Sequence, residues 1–229
     1  MSGTKYFVCA TPGSSGNFVS RLISGLTGAS IVDFVELTYG QPVPDVITRE
    51  FFFNNVQITT DSDVIVSVPF RPDFEKLDSR FPGCKIIVVT HALQECTNIA
   101  RAYFKSYYGD TYHMGAEPFF RKMINDHSHL FTDVNCTPDT LTQKEYEICV
   151  KILAYQKLLD GFHSLSIPNN SNIIEIKFQN LFFNLDFIQQ QLEQFTGLPF
   201  SEREKTISKQ LAAEFIHRYL TISKSPFAR

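Results

Sequence analysis

The sequence predicts an α/β protein of three layers, with a central, mostly parallel sheet covered by helices on both faces. Three observations carry that expectation. Short apolar runs alternate with longer stretches of helical periodicity along the chain. The clearest run, Lys85 to Thr90, places Ile86, Ile87, Val88 and Val89 in succession, as a strand buried on both faces does. The first run, Tyr6 to Ala10, breaks at Thr11, Pro12 and Gly13 and resumes at helical spacing with Phe18, Val19, Leu22, Ile23 and Leu26. Strand, glycine-rich turn and helix in that order begin a parallel crossover.

The remaining elements follow in order. Ser30 to Leu37 alternates in part and predicts a second strand, and Asp61 to Val68 a third, entered from a polar turn. Pro72 opens a short helix through Phe81, closed by Pro82 and Gly83. After the strand at Lys85 to Thr90, helices are expected over about 93–108, 117–130 and 141–163. Asn172 to Lys177 predicts a further strand after a polar turn, and helices over about 185–196 and 202–220 close the chain. Residues 107–140 are richer in His, Asp and Asn and weaker in pattern, which suits an insertion or lid over an acceptor site. No repeat, low-complexity tract or linker divides the sequence, so 1–229 is read as a single domain.

Composition narrows the function classes. A net charge of −3 supplies no broad positive field, which argues against nucleic acid and anionic membranes as partners. The N-terminal residues do not read as a signal peptide, and no apolar run approaches the roughly 18 residues of a membrane span, so a cytoplasmic setting is expected. The five cysteines, Cys9, Cys84, Cys96, Cys136 and Cys149, form no closely spaced pair; Cys9 and Cys84 fall in or beside apolar strands, as small core residues do. Asp126, His127, His129 and Asp133 lack the spacing with which two helical histidines share a metal, so no metal site is expected. The 22 phenylalanines beside no tryptophan have no functional reading from the sequence.

Ligands of parallel sheets bind beyond the carboxyl ends of the strands, which aligns the 11–17 turn with the stretches after Val68 and Thr90. A turn from a strand into a helix N-terminus aims backbone N–H groups and the positive end of the helix dipole at an anion. The same stretch also suits a plain connection. It is not the triphosphate loop of kinases and ATPases, because Gly16 is followed by Asn17 and Phe18 instead of Lys and Ser/Thr. A small nucleotide kinase is therefore the least favoured reading.

Pro12-Gly13-Ser14-Ser15-Gly16-Asn17-Phe18 resembles, with one inserted residue, the loop Pro-Gly-Ser-Gly-Asn-Thr-Trp of the sulfotransferase family, Phe18 standing near that Trp. A second block, Ile173 to Leu181 followed by Thr196-Gly197-Leu198-Pro199-Phe200, is similar to that family's strand ending in Tyr-Glu-Asp-Leu and helix ending in Phe-Leu-Gly-Leu-Pro-Phe. The resemblance implies a P-loop nucleoside triphosphate hydrolase-like fold of the sulfotransferase type. It also implies transfer of a sulfonate from 3′-phosphoadenosine 5′-phosphosulfate, without metal, to a hydroxyl or amine of a small-molecule, glycan or peptide acceptor. Residues 12–18 would hold the 5′-phosphosulfate end of that donor. Two departures bear on activity. Where the family has an Arg and a Ser on the donor's 3′-phosphate, this chain has Thr90 or His91 and Asn98, with Arg101 and Lys105 one and two helical turns onward. Where many members have a catalytic His after the third strand, Pro69 stands, followed by Arg71, which suits an anion better than base work. The candidate general bases are therefore His91 and Glu36, ahead of His113, His127 and His129. A sulfotransferase fold that binds a nucleotide or another anion without transferring a group is the alternative those departures leave open.

Overall fold

The computed structural model describes residues 3–11, 14, 16–32, 37–38, 48–101 and 143–223. Five strands, β1 (Lys5–Ala10), β2 (Ser30–Val32), β3 (Val64–Val68), β4 (Lys85–Thr90) and β5 (Ile173–Lys177), form one sheet in the order β2-β3-β1-β4-β5, with every neighbouring pair parallel. The described helices include α1 (Gly16–Thr27), α2 (Arg49–Asn55), α3 (Phe74–Arg80), α4 (Gln143–Leu159), α5 (Asn180–Phe183), α6 (Leu185–Thr196) and α7 (Glu202–Ser223).

The period of two along each strand divides the core into two faces. Tyr6, Val8, Ala10, Ile65, Ile87 and Val89 point to one side and pack with α1, α6 and α7 through Phe18, Val19, Leu22, Ile188, Leu192 and Ala212. Phe7, Cys9, Val66, Val68, Ile86 and Val88 point to the other, under Phe52 and Phe53 of α2 and Leu77 of α3. Seven phenylalanines gather on this second face: Phe7, Phe52, Phe53 and Phe162 fully inside, with Phe70, Phe74 and Phe81 at its margin. Phe52 is their hub, its ring centroid 6.0 Å from Phe7, 5.2 Å from Phe53, 5.5 Å from Phe70 and 6.4 Å from Phe81. Part of the skewed aromatic usage is thus a packing device, each ring gaining about 1.5–3 kcal/mol on burial.

Several boundaries differ from the sequence expectation. Among the described residues the second strand is Ser30–Val32, and Leu37 is helical rather than extended. The third strand begins at Val64, with Asp63 preceding it as an anchor: its Oδ1 accepts from Thr4 N at 2.6 Å and its carbonyl from Ser30 N at 3.1 Å. The helix α2 was not expected. It begins at Thr48, whose Oγ1 accepts from Phe51 N at 3.1 Å, as Asp73 Oδ1 accepts from Lys76 N to start α3. The segment after β4 is a short 3₁₀ turn, Leu93–Glu95, before helical residues 96–101.

The expected helix over 141–163 ends instead at Leu159, and a separate 3₁₀ turn, Phe162–Ser164, follows. Gly161 makes the break, at φ 71, in the left-handed region that only glycine enters without cost. The helix α6 has the expected bounds and ends at Gly197, φ 76, whose N–H donates to Glu193 O at 2.8 Å. Ser201 and Glu204 then open α7 reciprocally: Ser201 Oγ accepts from Glu204 N at 3.2 Å and Glu204 Oε2 from Ser201 N at 2.6 Å. Cys9 and Cys84 are buried free thiols; burial pushes Cys84 up to about 11 and Cys9 further, so both act as core residues.

Candidate functional site

The strand order decides where a site can form. The chain leaves β1 through α1 toward β2 on one side, and leaves β4 toward β5 on the other. The connections diverge between β1 and β4, and parallel sheets take their ligands at such a point, beyond the carboxyl ends of the strands. Ala10 pairs with Val89 in register, which sets Thr11 level with Thr90 and His91 one residue further out.

On the β1 side the turn is drawn tight. Ser14 N and Ser14 Oγ both donate to Thr11 O, at 3.0 and 2.7 Å, so the Ser14 hydroxyl proton serves the turn itself. The helix α1 starts at Gly16, directly over the end of β1; a Cβ added there would lie 3.0 Å from Ala10 Cβ. A helix directs the amides of its first turn outward along its axis, where they and the dipole favour an anion. Asn17 is exposed at this end, whereas Phe18 is 7% exposed and belongs to the core under α1. Pro12, Gly13 and Ser15 lie outside the described residues, as do Glu36, Lys105, His113, His127 and His129.

A group that sequence reasoning did not single out crosses to this turn from the end of α4. Thr11 Oγ1 donates to Asp160 Oδ2 at 2.7 Å, across 149 residues of sequence. Lys157 Nζ lies 3.8 Å from the same oxygen, and its side chain is almost wholly buried. Burial lowers the Lys157 ammonium from its ordinary value, and the Asp160 carboxylate opposes that fall. The left-handed turn at Gly161 holds this arrangement, and Arg71, arriving after β3, packs against it: Arg71 Nη1 would stand 3.1 Å from a Cβ on Gly161. Replacing Gly161 with alanine therefore strains φ and displaces an arginine together. The expected cost is about 1–2 kcal/mol, read as a lower urea midpoint at unchanged slope. The signal for this group was present as Lys157, Asp160 and Gly161 in a helix-ending order, but the apolar pattern runs on through Phe162 and hides the stop.

On the β4 side His91 is 4% exposed, and neither ring nitrogen has a hydrogen-bond partner. Its ring stacks at 6.5 Å on Phe162 and stands 6.4 Å from the ring of His163, whose Nδ1 is buried and partnerless too. Burial lowers His91 to about 4, with the neighbouring His163 adding to the fall. Thr90 Oγ1 donates to Glu175 Oε1 on β5 at 2.5 Å, so its proton is directed along the sheet. Asn98 is exposed on the following helical segment, and Glu95 Oε2 secures the intervening turn by accepting from Ala92 N at 2.5 Å.

His91 has a consequence for stability. Its folded-state value lies below the 6.5 of an ordinary histidine, so between pH 6.5 and about 4 the unfolded chain binds the proton that the folded chain refuses. Stability is intact above that window and falls as pH drops through it, by about 3 kcal/mol in all. Denaturant titrations at pH 7 and 4.5 on wild type and His91→Gln read this as a pH dependence that the variant loses.

The structure thus places Thr11, the start of α1, Arg71 and His91 beyond the carboxyl ends of the strands, and adds Lys157, Asp160 and His163 there. Among the described residues no three His, Cys, Asp or Glu side chains are grouped to hold a metal, and no helix is long and apolar enough to cross a membrane.

No protein-family model matches the chain, and no curated protein matches it in sequence. Solved structures that it resembles include a mouse sulfotransferase, SULT7A1, crystallised with PAP, at 10% identity and TM-score 0.44, covering 94% of this chain and 66% of the mouse chain. A sulfotransferase from Alicyclobacillus acidocaldarius aligns at 10% identity and TM-score 0.46 over 98% of each chain. A sugar kinase from Janibacter sp. HTCC2649 aligns at 10% identity and TM-score 0.35, over 96% of this chain and 95% of that one. At such identity and scores these likenesses carry no argument about activity.

Proposed function

We propose that the chain binds 3′-phosphoadenosine 5′-phosphosulfate at the β1–β4 crevice and transfers its sulfonate to a hydroxyl or amine acceptor. The observation that carries this reading is the start of α1 at Gly16, seated so closely on Ala10 that even a Cβ would meet it at 3.0 Å. An anion can then approach the helix end at the centre of the sheet. With the resemblance of residues 12–18 to the sulfotransferase loop, the anion is read as the phosphosulfate end of the donor.

Transfer breaks the bond between sulfur and the donor's phosphate oxygen and forms one from sulfur to the acceptor oxygen or nitrogen; the acceptor's proton leaves to a base. Negative charge gathers on the departing phosphate, where the end of α1 stabilises it and no metal is required. Arg71 suits the sulfonate oxygens. Asp160 joins Glu36 and His91 as a candidate base, since it is a carboxylate already placed at the end of β1. The test is incubation with donor carrying radioactive sulfur and a panel of phenolic, amine and sugar acceptors, scored for labelled product with matching release of 3′-phosphoadenosine 5′-phosphate. Absence of product across the panel, with the nucleotide still bound, would favour the second reading, binding without transfer. Two observations support that alternative: Pro69 closes β3 where a histidine base would stand, and the Thr90 hydroxyl is taken up by Glu175.

A further inference from the structure

A carboxylate just past the C-terminus of a helix stands against the helix dipole, which favours cations there. Asp160 occupies such a place: its N–H donates to Gln156 O at 2.8 Å, closing α4, and the left-handed Gly161 follows. Lys157, one turn back, offsets the mismatch from 3.8 Å. What the carboxylate gains is Thr11, 149 residues away, whose Oγ1 donates to Asp160 Oδ2 at 2.7 Å. Thr11 is 1% exposed, so its hydroxyl has little water to turn to and the partner matters.

Thr11 is held on a second side by the turn it begins. Its carbonyl accepts from Ser14 N at 3.0 Å and from Ser14 Oγ at 2.7 Å, and α1 starts two residues further on at Gly16. One residue thus joins the end of β1, the turn before α1 and the end of α4. Resting on the donor-binding reading above, we propose that Asp160 is a positioning residue for the nucleotide. Through Thr11 it keeps the turn formed before the ligand arrives, with the first amides of α1 already set for the phosphosulfate end.

The tie is suited to that task. A hydrogen bond to an ionised acceptor is roughly twice as strong as one between neutral groups. Burial lowers the Lys157 ammonium and Asp160 opposes that fall, so the two charges support each other. A site formed in advance spares the ligand the cost of ordering it. If the turn without its tie is formed about a tenth of the time, apparent affinity falls about tenfold. The role needs no proton transfer, so it is separate from the candidacy of Asp160 as a base and shows in binding with no acceptor present.

The experiment titrates 3′-phosphoadenosine 5′-phosphate into wild type, Thr11→Val, Asp160→Asn and the double variant by calorimetry. Hydrogen exchange of the Ser14 amide is followed in the same proteins without ligand. Valine keeps the shape of threonine and removes the donor, and the Asp160 side chain, 34% exposed, can turn to water, so the fold should persist. Thr11→Val should bind about tenfold more weakly, with Ser14 exchange about tenfold faster. Asp160→Asn, whose neutral oxygen still accepts from Thr11, should lose about threefold. The double variant should bind no more weakly than Thr11→Val, because both changes act through one contact. Thr11→Ser, which restores the hydroxyl, should bind within about twofold of wild type. If Thr11→Val lacks a cooperative urea transition, Asp160→Asn decides alone, and unchanged affinity and exchange in it overturn the role. A folded Thr11→Val that binds like wild type, a loss of affinity without faster Ser14 exchange, or additive losses in the double variant also overturn it, and leave the donor reading standing. Wild-type protein that does not bind the bisphosphate removes both.

Discussion

Gly16→Val lowers affinity for 3′-phosphoadenosine 5′-phosphate by at least about 100-fold, near 2.7 kcal/mol. The reason is local and steric. The first Cβ atom at position 16 already meets Ala10 Cβ at 3.0 Å, tighter than nearly all real contacts between such atoms, and valine adds two branches to it. The start of α1 must lift from the end of β1, carrying its amides away from the ligand, and amides that aim at an anion lose most of their effect with small displacements. Since Leu22, Ile23 and Leu26 still anchor the rest of α1 in the core, the fold should persist; a circular dichroism spectrum and a cooperative urea transition check that independently. A valine variant that folds and binds like wild type removes the helix end from the site.

The largest loss of stability is expected at Phe52. Phe52→Ala should cost about 3–5 kcal/mol, measured as a fall in urea midpoint without change in slope. Phe52 is 0% exposed and meets four other phenylalanine rings, Phe7 from the sheet, Phe53 beside it, and Phe70 and Phe81 from the segments flanking α3. Three separate parts of the chain converge on it, so the cavity left by alanine cannot close by the movement of one of them. Phe183, 88% exposed, provides the contrast: its truncation should change stability by less than about 1 kcal/mol.

These two positions also show what could be read in advance. The strands at β1, β4 and β5 were legible because β-branched and aromatic runs bounded by polar turns have few other readings, and α6 because its amphipathic spacing ends in a glycine. The helix around Phe52 was not. Its three consecutive phenylalanines fit no single helical face, and it forms because Thr48 caps it and the sheet accepts two of those rings. The site divides in the same way. The 11–17 turn and the residues after β4 are local in sequence, so a motif exposes them. Asp160, with Lys157 beside it, meets Thr11 across 149 residues of sequence, and that meeting is set by packing, not by any pattern near Asp160. The partnerless state of His91 is likewise a property of its surroundings, since nothing in the sequence near position 91 says which groups will face it.

The most direct test of the central claim is a calorimetric titration of the wild-type protein with 3′-phosphoadenosine 5′-phosphate in buffer containing a chelator. The account predicts metal-independent binding in the micromolar range, about −8 kcal/mol, and weaker binding of adenosine 5′-phosphate. No heat of binding at millimolar nucleotide, or binding that appears only when magnesium and a triphosphate are supplied, would contradict it.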